Sequence, residues 1–143
     1  MKYLKLYEQF DFDENDPFGE EIEYVKPTFL SWLKKNYPDE NTWSKITTIN
    51  CNDNQLTSLE GIKNLANLKE LWCYNNQLNS IKGIENLVNL EALSCSNNQL
   101  NSLEGIENLV NLKGLNCYHN QFTIEYKNYL RHYCEKRKIH LVI

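Results

Sequence analysis

One eight-residue phrase, returning every 22 residues, constrains this chain more than any other feature. It reads Ile49-Asn50-Cys51-Asn52-Asp53-Asn54-Gln55-Leu56, then Leu71-Trp72-Cys73-Tyr74-Asn75-Asn76-Gln77-Leu78. It returns as Leu93-Ser94-Cys95-Ser96-Asn97-Asn98-Gln99-Leu100 and as Leu115-Asn116-Cys117-Tyr118-His119-Asn120-Gln121-Phe122. A fixed period of this length marks a supersecondary unit that cannot bury its apolar side alone and stacks on its own copies. The apolar positions keep the same register. They are Ile46, Ile49, Cys51, Leu56, Leu59, Ile62 and Leu65 in the first copy, with counterparts from Leu68 to Leu87 and from Leu90 to Leu109, before the fourth copy changes character after Phe122.

Within each phrase, alternation along a strand sends successive side chains to opposite faces. Leu71 and Cys73 point inward, while Trp72 and Tyr74 point outward. Asn54, Asn76, Asn98 and Asn120 stand where the chain leaves each strand, and stacked amides there can satisfy backbone donors and acceptors in the turn. Gly61, Gly83 and Gly105 permit a conformation that a Cβ resists. The returns, such as Ile84-Glu85-Asn86-Leu87-Val88-Asn89-Leu90, carry an apolar residue at every third position and fit a 3₁₀-like turn.

The pattern L-x-x-L-x-L-x-x-N-x-L, with Cys at the third Leu, resembles the leucine-rich repeats. Its 22-residue form with a Gly-Ile turn is similar to the internalin-type bacterial class. The resemblance covers about half of the chain, residues 46–122. It implies an α/β fold: a short right-handed solenoid with parallel strands on the concave face, short helical returns and helical caps at both ends. It also implies a non-catalytic module that binds a protein on its concave face. A weaker resemblance, of residues 1–8 and the acidic run after them to small tailed-phage proteins, makes a phage-encoded inhibitor of a host or defence protein the concrete form of that role.

The flanks divide the rest. Residues 8–25 hold eight acidic groups and no Lys or Arg, interleaved with Phe10, Phe12, Phe18, Ile22 and Tyr24. This charge density reads as an acidic-aromatic arm over residues 1–25. Residues 26–45 read as an N-terminal helical cap. Pro27 is placed in its first turn, Pro38 ends the helix, and Trp32 and Trp43 cover the first repeat. Residues 123–143 read as a C-terminal cap, with Thr123 as N-cap and Tyr126, Tyr129, Leu130, Tyr133 and Cys134 along one helical face. A closing strand, Ile139-His140-Leu141-Val142-Ile143, follows. Arg131, His132, Lys136, Arg137 and Lys138 form a basic, solvated cap surface.

Four of the five cysteines occupy one inward position of the repeat, so they are read as a ladder of reduced core thiols. A metal site needs ligands converging on one point, which such a ladder does not provide. No signal peptide is read at the N-terminus, no segment is long and apolar enough to span a membrane, and a cytoplasmic location is expected. The net charge of −4 argues against nucleic acid as a partner. No G-x-S-x-G, H-E-x-x-H or phosphate-loop motif is present, and the three histidines lie on separate elements. Neither an enzyme nor a cofactor is expected.

The candidate site is therefore the outward face of the strands: Trp72, Tyr74, Tyr118, Asn50, Ser94, Ser96, Asn116, Glu70 and His119. Trp72 and Tyr74 on one side and Tyr118 on the other are expected to wall a shallow trough over Ala92, Ser94 and Ser96. A monomer awaiting a protein partner is the favoured reading. Its rivals are a self-assembling virion or scaffold component and an inhibitor acting through the acidic arm.

Overall fold

The computed structural model describes residues 26–143; the acidic-aromatic arm, residues 1–25, lies outside them. Five short parallel strands form one sheet in chain order: β1 (Thr48–Asn50), β2 (Glu70–Trp72), β3 (Ala92–Ser94), β4 (Gly114–Asn116) and β5 (His140–Val142). The register steps by one period, so Asn50, Trp72, Ser94, Asn116 and Val142 lie in one row. The neighbouring row is Thr48, Glu70, Ala92, Gly114 and His140.

Between strands the chain returns through 3₁₀ turns at Ile62–Asn64, Ile84–Asn86 and Ile106–Asn108. Each begins after a glycine in the left-handed region. Gly83, at φ +106°, shows why: a Cβ there would meet Ile62 Cγ2 at 2.8 Å in the preceding repeat. Ile49, Cys51, Leu71, Cys73, Leu93, Cys95, Leu115 and Cys117 alternate into the core as their spacing requires, and the returns contribute Ile62, Ile84 and Ile106.

The asparagine ladder holds the stack. Asn76 accepts through Oδ1 from Asn54 N (3.1 Å) and Leu56 N (2.9 Å), while its Nδ2 donates to the carbonyls of Cys51, Cys73 and Tyr74. Asn98 and Asn120 repeat the arrangement one and two periods later. A second ladder runs along the returns. Nδ2 of Asn67, Asn89 and Asn111 donates to the carbonyls of Ser44, Ala66 and Val88.

Both ends of the stack are covered. Helix α1 (Phe29–Asn36) buries Phe29 and Leu33, and a 3₁₀ segment, Glu40–Lys45, buries Trp43, whose indole N–H donates to Tyr37 O at 2.8 Å. Thr28 is the N-cap of α1 in a capping box with Ser31, so Pro27 precedes the helix instead of lying in its first turn. At the other end α2 (Ile124–Arg137), N-capped by Thr123, buries Leu130 and Cys134. Tyr129, expected on the buried face, is exposed, and its hydroxyl donates to Glu107 Oε1 at 2.8 Å. Arg137 is not part of a free basic surface. It donates to Tyr133 Oη and to the carbonyls of Glu107 and Val110, which ties α2 to the last return.

Candidate functional site

The face of the sheet opposite the core is built by the outward residues of five strands. On β1, Asn50 is exposed, and its Oδ1 accepts from Asn52 N at 3.2 Å. On β2, Trp72 is 41% exposed, the largest apolar side chain left open on this face, with Glu70 half-buried beside it. Tyr74 and Tyr118, two positions beyond the ends of β2 and β4, are half-buried. Small residues follow across β3 and β4, where Ala92, Ser94, Gly114 and Asn116 form a low floor. Ser94 and Ser96 are outward in register yet buried, because short side chains in a row of taller ones lose access to solvent. They can serve as floor for a ligand, and less as reaching contacts.

These heights create a groove of ≈ 290 Å³. Its walls differ from the expected ones. Trp72 stands on one side, but the other side is made by His140 and Val142 of β5, not by Tyr118. The closing strand pairs in register with β4, so its alternation delivers His140 and Val142 to the same face. The sequence carried that signal: a five-residue stretch, 139–143, with His and Val alternating against Ile, Leu and Ile. Tyr118 instead sits at the next level beyond the strands, its ring 4.7 Å from that of His119 in an edge-on arrangement.

His119 has a local role. Asp53, Asn75, Asn97 and His119 all hold φ between 51° and 58° at the turn that ends each strand, a conformation that Asn, Asp and His tolerate better than most residues. Their side chains also touch along the stack. Asn75 Nδ2 donates to Asp53 Oδ1 at 3.0 Å, and His119 Nδ1 lies 2.9 Å from Asn97 Oδ1.

One atom in the groove is unsatisfied. Asn116 Oδ1 is buried and has no hydrogen-bond partner, the single such side-chain atom among the described residues.

The thiols offer no chemistry to this face. Burial pushes Cys51 and Cys117 up to about 12 and Cys73 and Cys95 well above the ordinary thiol value. Among the described residues no three His, Cys, Asp or Glu side chains gather as a metal site would require, and no helix is long and apolar enough to cross a membrane.

The repeats have known counterparts. Residues 44–86 and 88–128 match the family model described as Leucine Rich repeats (2 copies). The fold is similar to an internalin from Listeria monocytogenes, at 23% identity and a TM-score of 0.63 over 73% of this chain and 30% of that one. It is similar to a leucine-rich repeat protein from Leptospira interrogans, at 32% identity and a TM-score of 0.63 over 68% of this chain and 25% of that one. It is also similar to the functional domain of InlJ from Listeria monocytogenes, described as including a cysteine ladder, at 30% identity and a TM-score of 0.55 over 59% and 18%. The chain thus spans less than a third of the length of each of these proteins. No curated protein matches it in sequence.

Proposed function

This chain belongs to the leucine-rich repeat family, and from that premise we propose that it is a non-catalytic protein-interaction module whose partner occupies the groove on the concave strand face. Folds of this kind typically serve as protein-binding modules. The observation that carries the assignment to this groove is the juxtaposition of the exposed Trp72 with the low floor at Ala92 and Gly114 and the far wall at Val142. An open tryptophan beside a depression is the arrangement of an interface anchor, and truncating such an anchor costs ~2 kcal/mol or more of binding.

Activity of this kind is occupancy: the chain blocks or recruits what it holds. The narrower version, a phage-encoded inhibitor of a host or defence protein, rests on residues 1–8, outside the described residues. Residence in the cytoplasm belongs to the same proposal and is supported by five free, buried thiols.

The test is capture of partner from the native cell lysate by the full chain and by two variants. Trp72→Ala with Tyr118→Ala removes the aromatic wall of the groove and the ring at the level beyond it. Gly114→Phe is chosen to fill the groove, since a Cβ at Gly114 meets no atom within 4 Å and a side chain can leave the strand there. Both variants are expected to stay folded and to lose the partner by a factor of at least ~30, the equivalent of ~2 kcal/mol. Undiminished capture by a folded Gly114→Phe chain would exclude the groove. A stable oligomer of the unmodified chain that dissociates in both variants would replace an external partner by self-assembly.

A further inference from the structure

A second depression, of ≈ 490 Å³, lies where the C-terminal cap meets the last return, away from the strand face. It is lined by Ser102, Glu104, Glu107, Tyr126 and Tyr129. Its aromatic wall belongs to a row of rings that starts at Phe122, just before α2, and continues along the helix through Tyr126, Tyr129 and Tyr133, with successive centroids 5.4, 5.5 and 6.0 Å apart. One end of this row already holds a cation. The Arg137 guanidinium carbon lies 5.4 Å from the Tyr133 ring centroid, and its Nη1 donates to Tyr133 Oη.

The carboxylates depart from the repeat. At these two positions the first copy carries Glu60 and Lys63 and the second Lys82 and Glu85, one charge of each sign. The third carries Glu104 and Glu107, two like charges, at the place where the tyrosines of the cap arrive. Among the described residues neither glutamate forms a salt bridge. Glu107 accepts from the Tyr129 hydroxyl, while Arg131, the nearest arginine on α2 after Tyr129, is held to Asn128 Oδ1 at 3.1 Å. Burial, and after it the same contact, raise the Tyr129 phenol to about 12.

We propose that this depression is a second recognition site, one that takes an arginine side chain of a partner protein, with the guanidinium stacked on Tyr126 and Tyr129 and paired with Glu104. A planar guanidinium suits both halves of the site, since it stacks on aromatic faces and pairs with carboxylates through a fixed fork of donors. The seat of Arg137 on Tyr133 is the same contact made within the chain.

The experiment is an NMR titration of the full chain with a blocked Gly-Arg-Gly peptide. Matched peptides carry citrulline or lysine in place of arginine. Saturable shifts at Tyr126 and Tyr129, weakening as salt is raised and absent with citrulline, are expected. Glu104→Lys, which reproduces the charge order of Lys82 and Glu85, is expected to weaken the response at least tenfold without disturbing the fold. Trp72→Ala with Tyr118→Ala is expected to leave the titration unchanged, which separates this site from the concave groove. No saturable shift, an equal response to citrulline, or an undiminished response in the folded Glu104→Lys chain would overturn the site. An equal response to lysine would overturn the choice of a guanidinium.

Discussion

At the scale of single residues, cysteine is the unusual choice in this chain. Cys51, Cys73, Cys95 and Cys117 stand at successive levels of the core, with Cys134 at the cap, and all are free and buried. A thiol fills a small inward position as well as a short aliphatic group does, but it adds a titration. Burial raises all five, Cys51 and Cys117 to about 12, because a thiolate in the core would lose its hydration. The unfolded chain ionises its thiols from about pH 8.5. The folded pKa is the higher one, so the stabilisation is complete below about pH 8.5 and is lost as the pH rises toward the folded value. The limiting slope is ~1.4 kcal/mol per pH unit for each thiol. Denaturant titrations between pH 7 and 10 are expected to show the decline, and replacing Cys73 and Cys95 by Ala is expected to flatten it while lowering stability at pH 7. A pH-independent midpoint would contradict the burial of these groups. Position in the repeat made the inward thiols legible from sequence. The burial of Ser94 and Ser96 was not, because it depends on the height of their neighbours and not on which way they point.

At the scale of elements, the strands are only three residues long, too short to register a sheet by themselves. The turn amides do that. Asn98 accepts from Leu78 N and donates to the carbonyls of Cys73, Cys95 and Ser96, so one side chain satisfies backbone groups of two repeats. Asn54, at the first repeat, donates only to Asn52 O. The two look identical in sequence, yet they are unequal in the fold. Asn98→Ala leaves several buried polar groups unpaired at about 1–3 kcal/mol each, partly relieved by water or by relaxation, and is expected to cost about 3 kcal/mol in chemical unfolding. Asn54→Ala is expected to cost less than about 1 kcal/mol. Equal losses would mean that the ladder works through local turn geometry and not by linking repeats. The 22-residue period exposed this ladder because its asparagines follow each strand directly. Asn67, Asn89 and Asn111 recur at the same period and form the second ladder, but they sit among polar residues of the return, where an exposed asparagine gives no sign of its partner.

At the scale of the whole molecule, each repeat touches its neighbours in the stack and little else, as the strand order and the element packing show. Stability then adds along the stack, while the groove depends on β3 and β4 holding Trp72 of β2 apart from Val142 of β5. The two properties can be separated by removing one period. Deleting residues 78–99 joins Gln77 to Leu100 in the order already found at Gln99 and Leu100, and it removes β3 while keeping every inward position in register. Trp72 would then pair directly with Asn116, with no Ala92 or Ser94 between them to form the floor. The shortened chain is expected to fold cooperatively with a lower melting temperature and native-like circular dichroism, and to fail in partner capture. Failure to fold would show that the caps depend on a set number of repeats. Retained capture by the folded, shortened chain would move the partner off the groove and onto residues outside it, with the pocket at Tyr126 and Tyr129, which the deletion leaves untouched, next in line.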